Sequence, residues 1–285
     1  MFQTTIGKAV SAEGVALHSG AMTRLALHPA ATDSGIVFRR TDLPGDNRVA
    51  ADPRNVVDTR LGVRLRNAAG AEAMTVEHFL SAAALVGLDN AIIEIDAAEL
   101  PIFDGSLKAF VALFAEAGLQ QQKVERRAIA VSASIRVEDG DRSVEVLPAA
   151  GRRIEMTIDY PVAAIGRSTI SIDLEDAGTR ARIVSARTFC TLSDVEGMRA
   201  RGFALGGSLD NAVVVDGELI LNEGPLRDPE EFALHKAADL IGDLALLGAP
   251  VFGLVRAQKT GHDLNTRLAR KIRESPDFGA RFPGR

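Results

Sequence analysis

Two stretches of the sequence decide the fold: TVEHFLSAAALVGLDN (75–90) and LHKAADLIGDLALLG (234–248). Each has apolar residues at helical spacing and reaches a glycine that can end a helix. Each is followed by a short apolar strand, a glycine-containing loop and a second helical pattern. His78 and His235 stand near the starts of the two helices. This weak internal repeat predicts two similar α+β domains.

Around these helices the sequence reads as short strands separated by turns. Thr23–Leu27 and Ile154–Asp159 are examples, each rich in the residue types and the alternation of strands. The polar stretch 120–127 is the best candidate for a linker. We therefore expect a first domain over residues 1–122 and a second over 128–285, with a less regular region in the middle of the second.

The composition excludes several classes of protein. The chain has 285 residues, of which 46% are hydrophobic and 25% charged, as in ordinary globular proteins. Cys190 is the single cysteine, which excludes a disulfide-linked scaffold and favours a reducing compartment. No run approaches the roughly 18 apolar residues of a membrane span, and no secretory signal is recognisable.

The charge balance bears on possible partners. A net charge of −5, with 12 Phe, one Tyr and no Trp, argues against a nucleic-acid-binding surface. We therefore expect a cytoplasmic monomer with no nucleic-acid partner and no stable membrane insertion. The tail 275–285 carries two prolines and is expected to fray.

The second of the two helices carries a row of polar residues. His235, Asp239 and Asp243 are each four positions apart, so they share one helix face. The residues between them are mostly apolar, and burying carboxylates is costly unless a metal or a cation compensates. A solvated row of i,i+4 pairs is the usual alternative for an isolated HxxxD pattern, but the leucines at 244–247 favour a buried helix.

His78, in the first helix, adds a third possible metal ligand. With His235 and Asp239 it would make three N/O ligands plus an open position, the arrangement of catalytic zinc sites. Glu77 points about 100° away and could flank the metal without binding it. In the alternative, Glu77 only complements the helix dipole and His78 is incidental.

The loop Thr260-Gly261-His262 is a further candidate for catalytic chemistry. Asp243 could orient His262 from the neighbouring helix, and a carboxylate there would raise the histidine pKa and favour the protonated form that a general acid requires. An exposed loop histidine is the alternative.

Long motifs run through nearly the whole chain: GVALHSG (14–20), IVFRRTDL (36–43), TVEHFLSAAALVGLDN (75–90), PIFDGS (101–106), SARTFCTLSDVEGMRARGFALGGSLDNAVVV (185–215), LHKAADLIGDLALLG (234–248) and KTGHDLNTRL (259–268). Together, in this order, they resemble the zinc-dependent UDP-3-O-acyl-N-acetylglucosamine deacetylases of lipid A biosynthesis. The resemblance implies two α+β domains, each a sheet packed on two helices and each with a small insert. It also implies that the helix layers face each other between the sheets.

The resemblance also implies a role for each matching residue. It assigns Zn²⁺ binding to His78, His235 and Asp239, and the role of general base to Glu77. It makes His262 the second catalytic histidine, with Asp243 as its partner, and Thr188 the residue that stabilises the oxyanion. For the substrate, it implies that Lys236 and Arg142 bind the nucleotide diphosphate and that Tyr160 stacks on uracil. Such an enzyme releases acetate from the sugar nucleotide. Either His262 or protonated Glu77 would then protonate the leaving amine.

An insert at about 189–215 is the expected wall of a channel for the acyl chain. Its apolar candidates are Phe189, Leu192, Val195, Met198, Phe203 and Leu205, with Gly206 and Gly207 leaving the end open. In the alternative, these residues form only the small core of the insert. The run 58–62, Asp-Thr-Arg-Leu-Gly, lacks a cysteine that many members of the family have there, so an inhibitory second metal is not expected.

Two other functions remain open from the sequence. A catalytically inactive sugar-nucleotide sensor would keep the metal but lack a base, whereas Glu77 is present. A metal-free phosphotransferase-like protein would need a phosphate-binding glycine-rich loop, and Gly206-Gly207-Ser208 is too short for one.

Overall fold

A computed structural model of the chain describes residues 1–278. Of the tail expected to fray, only 275–278 are described, and they form a turn; the rest lies outside the described residues. The helices are α1 (Glu77–Val86), α2 (Lys108–Ala117), α3 (Ala177–Ser185), α4 (Leu192–Arg199), α5 (Glu231–Ala245) and α6 (His262–Glu274), with a short 3-10 helix at Pro53–Asn55.

The strands, in chain order, are β1 (Phe2–Ile6), β2 (Val10–Val15), β3 (Met22–Pro29), β4 (Ile36–Arg40), β5 (Arg48–Ala50), β6 (Val56–Asp58), β7 (Arg64–Arg66), β8 (Glu72–Met74), β9 (Ala91–Ile95), β10 (Leu119–Glu125), β11 (Ile129–Ala130), β12 (Ile135–Asp139), β13 (Arg142–Leu147), β14 (Arg152–Asp159), β15 (Arg167–Asp173), β16 (Phe189–Thr191), β17 (Val213–Asp216), β18 (Leu219–Ile220) and β19 (Val251–Gln258). The α+β fold class is therefore confirmed.

The two large sheets have the same topology. The first has the order β2-β3-β9-β4-β5 and the second has the order β12-β13-β19-β14-β15, with β11 added beside β19. In each sheet, the middle strand follows a helix, β9 after α1 and β19 after α5. This strand pairs parallel with one neighbour in the sheet order and antiparallel with the other. The predicted internal repeat is thus present in the strand order. The domain boundaries at 122 and 128 stay predictions.

The helices α1 and α5 pack against each other. Both are buried along most of their length, as expected for helices whose residues are apolar on nearly every side. Phe79 of α1 contacts Phe38 of the first sheet and Phe110 and Phe114 of α2, with ring centroids 5.3–5.8 Å apart. α6 instead buries a single face, which packs against α5, β12 and β13.

Two regions differ from the sequence-based expectation. The stretch 120–127, expected as a linker, lies mostly in β10, which pairs antiparallel with β1. Its side chains are almost all exposed, so no apolar alternation marked it as a strand. The region expected to be less regular contains β15 and α3, where burial is limited to single residues such as Ile170, Ile172 and Ile183.

Within residues 1–278, every helix is too short or too polar to span a bilayer. The expectations of a cytoplasmic location, a monomer and no nucleic-acid partner stay predictions.

Candidate active site and metal centre

The site lies where α1 and α5 come into direct backbone contact. A Cβ atom at Gly242 of α5 would stand 2.1 Å from the carbonyl oxygen of Glu77, far inside van der Waals contact. Only glycine lets the helices approach this closely. The first turn of α1 is thereby brought against the middle of α5, so His78 faces His235 with ring centroids 5.0 Å apart.

Three buried side chains converge at this contact: His78, His235 and Asp239. One ligand atom from each lies within 4.8 Å of the others. Asp239 Oδ1 is 3.3 Å from His235 Nε2 and 3.8 Å from His78 Nε2. On the far side of its ring, His235 Nδ1 lies 3.3 Å from the Ala186 carbonyl oxygen, the acceptor that leaves Nε2 free for a metal. These three residues could hold a metal ion.

The charge of the cluster suits a cation. Burial disfavours the ionised form of Asp239, but Lys236 and His235 outweigh this effect and hold the pKa of its carboxyl well below the usual range. Lys236 Nζ donates to Asp239 Oδ2 at 2.7 Å, which leaves Oδ1 turned towards the histidines. Burial, with His235 close by, lowers the pKa of His78 to about 3 and keeps its ring neutral, as coordination requires.

Glu77 lies beside the cluster, almost completely buried. Its Oε2 accepts a hydrogen bond from the Val63 backbone N–H at 2.9 Å. Its Oε1 packs against Gly62, where a Cβ atom would lie only 2.7 Å away. Burial raises the pKa of Glu77 to about 7, although His262 and the Val63 N–H partly oppose the shift. A carboxylate with that pKa is suited to accepting and returning a proton near neutral pH.

His262 lies opposite Glu77 at the start of α6, with its Nε2 4.0 Å from Glu77 Oε1. Its Nδ1 lies 2.9 Å from Asp243 Oδ2, and Asp243 is completely buried. Burial opposes ionisation of the ring, but Asp243 dominates and raises the pKa of His262 to about 10. The structure therefore joins the two residues that the sequence analysis paired.

Thr188 reaches the site through contacts between the two halves of the chain. Its backbone N–H donates to the Gly105 carbonyl at 2.8 Å, and its carbonyl accepts from Val213. A Cβ atom at Gly105 would lie 2.0 Å from the Asn211 carbonyl oxygen, and the φ of Gly105 is +77°, so glycine is required there. Two cavities meet at the metal cluster, and Thr188 lines both of them.

The larger of these cavities, about 500 Å³, is mainly apolar. Leu192, Val195, Met198 and Gly207 line it, as the channel interpretation expects. Three expected residues do not: Phe203 lines a neighbouring cavity, Leu205 is 57% exposed, and Gly206 packs against the Ala16 carbonyl oxygen. Several of its lining residues were not singled out from the sequence because they carry no chemical signal, and three of them come from segments outside the 189–215 insert. The residues not singled out are Leu17, Ile102, Ala204, Leu209, Ala212, Val214 and Leu221.

The second cavity, about 400 Å³, has a mixed lining that includes cationic and aromatic side chains and the carboxylates of Asp194 and Asp239. Lys236, Arg60 and Arg201 line it together with Tyr160, whose ring centroid lies 5.5 Å from that of Phe189. Arg60 and Arg201 were not singled out from the sequence.

Arg142 lies close to His262 in the chain fold but lines neither of these cavities. It donates to Asp263 Oδ1 at 2.6 Å and to the Lys259 carbonyl, on either side of Gly261. Its expected contact with the diphosphate stays a prediction.

Comparison with known proteins bears directly on this arrangement. The sequence profile of the family described as UDP-3-O-acyl N-acetylglycosamine deacetylase matches residues 3–274. The chain belongs to this family. The resemblance inferred from the motifs is thereby confirmed.

Individual relatives match over nearly their full length. One from Phenylobacterium zucineum is 45% identical over 278 residues, covering 97% of this chain and 95% of the relative. One from Anaeromyxobacter is 46% identical over 274 residues, covering 96% and 89%. One from Chromobacterium violaceum is 43% identical over 279 residues, covering 97% and 92%. All three carry the name UDP-3-O-acyl-N-acetylglucosamine deacetylase.

The helix contact itself supports a prediction. Gly242→Ala should destabilise the protein by roughly 1–3 kcal/mol, because the new methyl group forces α1 away from α5. The same displacement separates His78 from His235 and Asp239, so metal content should fall as well. Chemical denaturation and metal analysis of the purified variant measure the two effects. Gly197→Ala on α4, where a Cβ meets nothing within 4 Å, is the matched control and should keep both properties.

Proposed function

We propose that the protein hydrolyses the N-acetyl group of UDP-3-O-acyl-N-acetylglucosamine in a zinc-dependent reaction, an early step of lipid A biosynthesis. The products are acetate and the free 2-amino sugar nucleotide. One observation carries the proposal: the His-His-Asp cluster lies where an apolar cavity meets a cationic one. An acyl chain needs the first and a nucleotide diphosphate the second, with the acetamide between them.

The donor set fits Zn²⁺. Two imidazole nitrogens and one carboxylate oxygen, all buried, are the ligand types of catalytic zinc sites, which keep one position open. His78, His235 and Asp239 would hold the ion. When bound there, zinc activates water and polarises the amide carbonyl.

The surrounding residues supply the proton transfers. Glu77, held by the Val63 N–H, accepts the proton of the attacking water, and its raised pKa suits this role. Thr188 and protonated His262 stabilise the negative charge that develops on the carbonyl oxygen. His262 is the proton donor that we assign to the leaving amine, because Asp243 keeps it protonated.

Acetate release from the acylated sugar nucleotide tests the proposal. The zinc-loaded protein should release one acetate per substrate, and a chelator should abolish the release. A zinc-loaded protein that binds the substrate without releasing acetate would be a sensor instead. Phosphoryl transfer that persists in chelator would favour the phosphotransferase-like alternative.

The apolar cavity is expected to select the acyl chain. Burial contributes roughly 0.8 kcal/mol per CH₂, so a chain of about ten carbons gains several kcal/mol after ordering costs. A Cβ at Gly207 would lie 3.7 Å from Leu17 Cδ1 in the cavity wall and 3.2 Å from the Ala204 carbonyl oxygen, which must move by a few tenths of an ångström. Gly207→Leu should therefore lower the rate of acetate release from a long-acyl substrate far more than from a short-acyl analogue.

Gly206 offers the matched control for this prediction. A Cβ there would stand 2.2 Å from the Ala16 carbonyl oxygen, so Gly206→Ala disrupts the backbone and should slow both substrates together. Equal losses on long and short substrates in Gly207→Leu would contradict its place in the acyl channel.

A further inference from the structure

A chain of buried hydrogen bonds continues behind the His262–Asp243 pair. Asn265 Nδ2 donates to Asp243 Oδ2 at 2.8 Å, and Thr260 Oγ1 donates to Asn265 Oδ1 at 2.6 Å. Asn265 is 1% exposed and Thr260 8%. We propose that Asn265 and Thr260 are positioning residues that hold the Asp243 carboxylate in place and thereby fix the orientation of the His262 ring.

The donors and acceptors in this chain leave one arrangement. An ionised carboxylate only accepts, so Asp243 Oδ2 takes one hydrogen from His262 Nδ1 and one from the Asn265 amide. The amide oxygen of Asn265 must then face away from Asp243. It meets the Thr260 hydroxyl, which can donate to it, so the hydroxyl stabilises the amide in the orientation that Asp243 needs.

The same geometry fixes which nitrogen of the histidine ring faces the site. With Nδ1–H donated to Asp243, the Nε2 atom is the one presented to Glu77, 4.0 Å away, and to the proposed reaction. Asn265 and Thr260 line neither cavity at the metal cluster, so they act through Asp243 rather than on the substrate.

These hydrogen bonds also connect three segments of the protein. Thr260 lies in the loop after β19, and His262 and Asn265 belong to the first turn of α6. Asp243 comes from α5. Side-chain hydrogen bonds thus join the start of α6 to α5, and they hold His262 in its place in the site. Removing the buried partner of a metal-bound histidine typically changes activity by about 10–100-fold, and we expect a similar scale for the partners of this histidine.

Two substitutions test the proposal, and both are examined in the zinc-loaded, full-length protein. Thr260→Val keeps the shape of the side chain but removes the hydroxyl, and Thr260→Ser restores it. We expect Thr260→Val to lower kcat about tenfold with little change in KM, and Thr260→Ser to recover most of the rate. Asn265→Leu should lower kcat at least as much.

Nitrogen NMR of the His262 ring provides a readout independent of activity. The wild-type protein and Thr260→Ser should show a single set of ring signals, with Nδ1–H hydrogen-bonded to Asp243. In Thr260→Val and Asn265→Leu the ring signals should shift or broaden. The kinetic arm rests on the proposed function, whereas the NMR arm does not, so a protein that releases no acetate would overturn the function and leave the positioning testable.

The outcomes divide clearly. Unchanged ring signals and an unchanged kcat in Thr260→Val, with only a lower melting temperature, would overturn the proposal and leave the chain a structural element of α6. If Asn265→Leu fails to fold, the comparison of Thr260→Val with Thr260→Ser decides the question by itself.

Discussion

Replacing Glu77 by glutamine should leave the fold and the metal site intact while lowering kcat at least about 100-fold. The side chain keeps its shape, and its amide oxygen can still accept the hydrogen bond that the Val63 N–H donates to Glu77 Oε2 in the wild-type protein. The lost property is the ability to accept a proton from water. Steady-state acetate release and metal analysis of the purified variant measure the two sides of the prediction.

The variant needs a control for the tight packing around this side chain. Gly62 leaves no room for a displaced carboxamide, so the melting temperature must be compared with that of the wild-type protein. A folded, metal-loaded Glu77→Gln protein with a near-normal rate would move the base elsewhere, and His262 would be the next candidate.

Removing either histidine of the cluster should abolish metal binding. The wild-type protein should hold about one zinc ion per chain, whereas His78→Ala and His235→Ala should hold little. Each substitution leaves only two of the three buried ligand atoms. Metal content after dialysis measures the effect, and acetate release should fall with it.

His28→Ala is the matched control for these substitutions. His28 lies on β3 and contacts Glu94 on the sheet at 3.1 Å, away from the cluster. It should keep the wild-type metal content. Full occupancy in both His78→Ala and His235→Ala would contradict the ligand assignment.

Several parts of this architecture were predictable from local pattern. The helix α1 and its glycine end follow from apolar spacing, and the short apolar strand expected after it is present at Ala91–Ile95. The row His235, Asp239 and Asp243 was recognisable because helical periodicity places residues four apart on one face. The companion role of His78 needed the internal repeat as a second signal.

Other parts depend on contacts between distant segments, which a single sequence does not encode visibly. Nothing near Gly242 indicates that it faces the backbone of Glu77, and nothing near Val63 indicates that its N–H binds that carboxylate. The strand β10 was missed because its side chains are solvated, so its pairing with β1 leaves no hydrophobic alternation.

The division of the site between α1 and α5 makes catalytic competence a property of how the two halves of the chain are docked. Glu77 and His78 lie on α1, beside the first sheet. The remaining residues, His235 and Asp239 on α5 and His262 on α6, belong to the half of the chain that forms the second sheet. Neither repeat holds a complete set. A shift of one sheet against the other would therefore separate the proposed metal ligands and the proposed base and acid in the same movement, so we expect activity to depend on the rigidity of the contact between α1 and α5.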